Sequence, residues 1–124
     1  MNMIRAMAVS TPVAPFQIPP QPTEDELLAK YFTVLADHSR LRILRALAAA
    51  EELSVGDLVE RLGISQPSVS NHLACLRWCG FVEARREHRT VYNRISDPRV
   101  VGLIELAGEL LGENEEHVAA WRRA

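Results

Sequence analysis

Two short segments in succession, each closed by glycine, constrain this chain more than anything else in it. The first is Ser54-Val55-Gly56-Asp57-Leu58-Val59-Glu60-Arg61-Leu62-Gly63; the second runs from Ile64 to Gly80. In the second, Ser65 can accept from the free N–H groups of a helix start, and Pro67 fits an early position where no N–H is needed. Gly80 supplies the left-handed residue that ends the helix. Val69, Leu73 and Leu76 fall at i, i+4 and i+7, a narrow apolar stripe. At about 100° per residue, Pro67, Asn71, Ala74 and Trp78 point the opposite way, flanked by Ser70 and Arg77. Two short helices joined by a tight glycine-containing turn form the helix-turn-helix pattern. Small polar side chains on the second helix suit a DNA major groove. Gln66, Ser68, Ser70 and Asn71 are expected to meet base edges, and Arg77 guanine or phosphate.

Beyond Gly80 the period changes from helix to strand. Residues 81–86 and 90–95 are β-prone runs around Glu87-His88-Arg89, which predicts a hairpin with a charged tip. Beside a major-groove helix such a hairpin is a wing, with Arg86, His88 and Arg89 facing phosphate or the minor groove. A solvated turn without a DNA role is the alternative. Overall charge does not decide, because 124 residues carry a formal net charge of −2. Distribution is more informative. Residues 77–94 hold five arginines against two glutamates, whereas residues 105–116 hold five glutamates and no Lys or Arg. A basic contact face and an acidic distal end follow.

The length suits one domain with a modest core, and no apolar run approaches a membrane span. Residues 1–22 contain five of the seven prolines and read as a flexible arm. A globular region is expected over 23–112, opening on the capping box Thr23-Glu24-Asp25-Glu26. Leu27, Leu28, Tyr31, Phe32 and Leu35 follow at helical spacing. Asp37 caps a further helix whose Leu41, Ile43, Leu44 and Leu47 supply core. After Asp97-Pro98, Val100, Val101, Leu103, Ile104, Leu106, Ala107, Leu110 and Leu111 cover nearly a whole helix circumference. So small a domain cannot bury that helix on every side, which implies packing on a second copy. Residues 113–124 form a helical tail, with Asn114 as its cap. The expected class is mainly α with a small β-hairpin.

Cys75 and Cys79 lie four apart on the second helix, where β-carbons sit about 5–6 Å from each other. Two thiolates so placed can converge on one soft ion, and His72 falls on the same flank. Two small buried hydrophobes would read identically. Such a spacing excludes a secreted disulfide framework and points to a reducing cytoplasm or a functional thiol pair.

The run Leu35-Ala36-Asp37-His38-Ser39-Arg40-Leu41-Arg42-Ile43-Leu44, the box Glu52-Leu53-Ser54-Val55-Gly56-Asp57-Leu58, and Ser70-Asn71-His72-Leu73 through Leu76-Arg77 resemble the ArsR/SmtB family of bacterial winged helix-turn-helix repressors, usually metal-responsive. The resemblance covers roughly residues 24 to 111. It implies a homodimer through the first and last long helices and a double-stranded, pseudo-palindromic DNA operator. His38 departs from the proline usual there. The Cys75-x3-Cys79 position is similar to the recognition-helix pair of the family's cadmium/lead-sensing branch, whose third cysteine has no counterpart here. A third ligand would be His72, His117, a nearby glutamate, or none; two-coordinate binding suits Hg(II). The family's other thiolate positions are Ser54 and Gly56 in this chain, and its zinc ligands on the fifth helix are missing. The resulting expectation is a cytoplasmic repressor released by Hg(II), Cd(II) or Pb(II) at Cys75, Cys79 and His72. Thiol oxidation, or no effector at these cysteines, remains open. No nucleophile motif, phosphate loop or acid/base pair supports an enzyme.

Overall fold

The computed structural model describes residues 14–123, so most of the arm expected over residues 1–22 lies outside the described residues. The elements run α1 (Glu24–Leu35), α2 (His38–Ala50), β1 (Leu53–Ser54), α3 (Val55–Leu62), α4 (Gln66–Trp78), β2 (Val82–Glu87), β3 (Thr90–Ile95), α5 (Arg99–Glu113) and α6 (Glu115–Arg123). Each early boundary has a chemical cause. Thr23 and Glu26 form the reciprocal capping box of α1, and the Asp37 carboxylate accepts from the Arg40 N–H at 3.0 Å to start α2.

The core gathers around α4. Ile43, Leu44 and Leu47 of α2, Leu58 of α3, Val69, Leu73 and Leu76 of α4, and Phe81 are all essentially sealed from solvent. Each contributes roughly 1.5–3 kcal/mol by leaving water. Helix α1 adds only Val34, and α5 only Val100 and Ile104.

The wing is a three-stranded antiparallel sheet ordered β1-β3-β2 rather than a bare hairpin. Leu53 pairs with Asn93 and Ser54 with Tyr92. A fully buried Asn93 side chain donates to the Leu53 carbonyl at 3.3 Å, fastening the added strand. At two residues, that strand is too short to display an alternating pattern.

Helix α5 departs from uniform burial in a telling way. Leu106, Leu110 and Leu111 are 50–55% exposed, and Leu27, Leu28 and Phe32 of α1 are 45–49% exposed. Among the described residues nothing covers these apolar faces on either helix, as the sequence pattern of α5 led one to expect. At the tail, Asn114 does not cap α6 through its side chain; the amide turns back and donates to the Leu110 carbonyl of α5 at 2.8 Å. Among the described residues no helix is long and apolar enough to cross a membrane.

Candidate nucleic-acid interface and thiol pair

The helix pair is fixed at both ends of each helix and across the turn. Ser54 and Asp57 close a capping box at the start of α3, and Gly63 ends that helix with φ +66°. Across the turn, the Arg42 guanidinium donates to the Leu62 carbonyl at 2.8 Å, satisfying an orphan acceptor and tying α2 to α3. At the start of α4, Ser65 Oγ accepts from the Ser68 N–H. At its end, Gly80 (φ +82°) lets the Phe81 N–H reach the Leu76 carbonyl and the Gly80 N–H the Arg77 carbonyl. These two bonds form a Schellman motif, sealed by contact between the buried Leu76 and Phe81.

The faces of α4 separate as the sequence predicts. Val69, Leu73 and Leu76 are buried; Gln66, Pro67 and Asn71 are exposed; Ser68, Ser70 and Ala74 are half-buried. Gln66, Ser68, Ser70 and Asn71 therefore sit at or near the open surface of the helix. Arg77 differs from the expectation of a free phosphate contact. It is half-buried, its Nε is sealed from water without a hydrogen-bond acceptor, and this burial weakens its hold on its proton. Trp78, at the far end of the outer face, carries the Phe16 ring edge-on with centroids 5.8 Å apart.

The wing arginines fall into two groups. Arg85 makes a two-pronged contact to Glu52, at 2.8 and 2.6 Å, and a third bond to Glu87 at 3.0 Å. Arg94 binds Glu83, its cross-strand partner, at 2.6 Å. Arg86, His88 and Arg89 are exposed, and no ion pair involves them among the described residues. His88 and Arg89 form the two-residue loop between the paired Glu87 and Thr90, and His88 holds φ +57°. A positive φ at the first loop residue matches the strand twist in such hairpins, at some strain for a residue with a Cβ. Three solvated side chains at the tip, two of them permanently cationic, are thus what the wing presents.

Cys75 is buried and Cys79 half-buried, and both are free. The two cysteines lie one helical turn apart, and each influences the other's titration. Burial pushes the Cys79 thiol up to about 11, the neighbouring Cys75 sulfur pushes the same way, and Arg40 opposes them. Burial likewise raises Cys75, opposed by Arg40 and the neighbouring Cys79. The pair is therefore protonated near neutral pH, poorly suited to act as a reactive thiolate but available to an ion that displaces both protons. His72 is engaged elsewhere: its Nδ1 accepts from Arg40 Nε at 3.2 Å. Among the described residues no three His, Cys, Asp or Glu side chains converge on a common point. The expected His72–Cys75–Cys79 trio is therefore not assembled, and His117 does not complete the set either. The donor set is two soft sulfurs one helical turn apart, which fits a thiophilic ion of low coordination number and does not fit a hard cation.

Sequence reasoning gave Arg40 no individual role. It bonds His72 and the Val34 carbonyl, a role with no signature in local periodicity.

Residues 37–84 match the family model described as bacterial regulatory protein, arsR family. A probable mercury resistance operon repressor of Streptomyces lividans is 42% identical over 92 residues, 74% of this chain and 73% of that protein. Among solved structures, Mycobacterium tuberculosis Rv0081 is similar with a TM-score of 0.69 at 30% identity, covering 84% of this chain and all of that one. The homodimeric winged helix-turn-helix DNA-binding domain of Mycobacterium bovis Mb0332 gives a TM-score of 0.66 at 32% identity, covering 81% and 95%.

Proposed function

The chain belongs to the ArsR family of bacterial transcriptional regulators, DNA-binding proteins rather than enzymes, and from that premise we propose that it is a homodimeric repressor released from its operator by a thiophilic divalent ion at Cys75 and Cys79. The observation that carries this reading is placement. Cys75 and Cys79, one turn apart at the end of α4, share a helix with the outward-lying Gln66, Ser68, Ser70 and Asn71, and Asn71 is one turn from Cys75 on the same flank. When bound, the ion supplies a soft Lewis acid that takes the place of two thiol protons.

The chain's own residues do the rest. The exposed apolar faces of α1 and α5 hold a second copy, and the two copies of α4 reach successive major grooves of a pseudo-palindromic site. Arg86, His88 and Arg89 lie along the phosphate backbone and set register without reading sequence. A displaced Cys75 moves α4, because that side chain is buried in the core cluster, where close packing leaves little free volume. Two sulfur donors and no third favour Hg(II) over Cd(II) and Pb(II), in keeping with the mercury-linked relative.

The test is a mobility shift with the promoter upstream of the protein's own gene. Wild type should lose the operator on adding Hg(II), whereas the Cys75→Ser/Cys79→Ser protein should bind it normally and stay bound. Release of the double variant by Hg(II) would refute the assignment.

A further inference from the structure

We propose that Arg40 is the positioning residue through which the thiol pair acts on the recognition helix, because one guanidinium bridges the last turn of α1 and His72 on α4. The inference rests on the reading of Cys75 and Cys79 as the effector site. Asp37 accepts from the Arg40 backbone N–H at 3.0 Å, so the base of the side chain is fixed. From there Nη1 donates to the Val34 carbonyl at 3.1 Å, and Nε donates to His72 Nδ1 at 3.2 Å. Three helices meet at this one planar fork.

Helix α4 is otherwise held by Val69, Leu73, Leu76 and Cys75, and apolar burial is non-directional. It resists withdrawal of the helix but sets its rotation weakly. Among the described residues, the Arg40–His72 bond is the single side-chain hydrogen bond from α4 to another element. A bond with a required direction is what fixes the angle at which Gln66 and Asn71 face outward.

The thiol pair shares that residue. Arg40 lies within electrostatic reach of both Cys75 and Cys79. His72 is three residues before Cys75, a neighbour on the helix surface. Whatever occupies the pair abuts the fork, and a guanidinium pulled toward sulfur cannot keep its geometry at both His72 and Val34. Arg40 touches no DNA in this account; it orients the element that does.

Full-length wild type, Arg40→Ala, His72→Ala and the double variant would be compared in three measurements. These are operator affinity without ion, Hg(II) affinity from thiolate–metal absorbance against a competing thiol, and operator affinity with Hg(II). A coupling factor of roughly 5–150 is usual for such linkage. His72→Ala should keep Hg(II) affinity within about threefold, and in both single variants the coupling factor should fall to about one. The double variant should be no worse than either single one, since both remove the same bond. In the ion-free protein, the nitrogen resonances of His72 should show Nδ1 accepting and Nε2 protonated, and Arg40→Ala should abolish that preference. Should Arg40→Ala not fold, His72→Ala alone carries the comparison. Variants that release the operator with the wild-type coupling factor would overturn the inference, as would loss of Hg(II) uptake in His72→Ala, which would make that residue a ligand. Wild type that keeps its operator with Hg(II) bound would refute the parent reading and this one together. Equal release of wild type and both variants would refute this one alone.

Discussion

The clearest quantitative consequence concerns the wing, where four arginines near β2 and β3 are chemically alike but differently occupied. Arg85 and Arg94 already face Glu52, Glu87 and Glu83 at 2.6–3.0 Å, whereas Arg86 and Arg89 are exposed and have no ion pair among the described residues. Only the second pair can neutralise phosphate without first losing a carboxylate. Each phosphate neutralised contributes about 0.9 to the slope of log affinity against log salt. Arg86→Ala/Arg89→Ala in a two-fold dimer removes about four such contacts, so the slope should flatten by about 3.6. Between 50 and 200 mM salt, wild type should therefore lose roughly 150-fold more affinity than the variant does. Arg85→Ala should change the slope by less than about 0.5, because its charge is spent internally. Fluorescence anisotropy of labelled operator over a salt series reads these slopes directly. The reasoning fails if Arg85→Ala flattens the slope as much as the loss of Arg86 or Arg89, for then internal pairing does not determine which wing cations meet DNA.

Three further outcomes follow from the same geometry. Burial raises both thiols, Cys79 to about 11, so the protonated pair must shed its protons to take up an ion; near pH 7 uptake of Hg(II) in weak buffer should release about two protons per subunit and tighten as pH rises, and release of one or none would contradict a two-thiolate site. Gly80→Ala meets no steric neighbour but must hold φ +82°, so the melt should show a loss of roughly 1–2 kcal/mol from backbone strain alone; an unchanged melting temperature would remove the Schellman motif as the cause of the helix end. Leu106→Glu/Leu110→Glu charges an α5 face that is 54–55% exposed in the single subunit, so circular dichroism should be preserved while sedimentation shows monomers and operator binding is lost; a dimer that survives would place the interface elsewhere.

How much of this was legible beforehand depends on how far apart the interacting groups lie. Helix ends were readable because caps are local: Thr23 with Glu26, Asp37, Ser54 with Asp57, Ser65 and Gly80 each act within three residues of their own position. The buried stripe of α4 was readable from spacing, and so was the unpartnered face of α5. Strand β1 was not, since two residues carry no period. The local surplus of positive charge between residues 77 and 94 overstated the available cations, because strand register sets Glu83 opposite Arg94 and brings Arg85 against Glu52, 33 positions away. Arg77 looked like a surface cation from the helical wheel, yet it sits at the margin of the core where the wheel has no sharp edge. Arg40 and His72 are 32 residues apart, and nothing in either neighbourhood announces the other.

The compactness of α4 has a further consequence for how coupling can occur. Helix α4 and its C-cap Cys79 carry the buried stripe, the outer polar face and the thiol flank, so no relay across the protein is needed between the proposed effector site and DNA. Closeness alone does not give coupling, however, because a side chain can absorb a local change by rotating. Cys79, half-buried at the helix end, has that freedom; Cys75, buried in the core cluster, does not. An event that demands movement of both sulfurs must be accommodated at Cys75 by the helix as a rigid body, since a close-packed interior offers no vacant volume. Coupling on this view originates in the buried cysteine, and its direction is set by whichever polar tie holds the helix against rotation. Arg40 provides that tie, which makes burial of one thiol and a hydrogen bond to His72 two parts of one requirement.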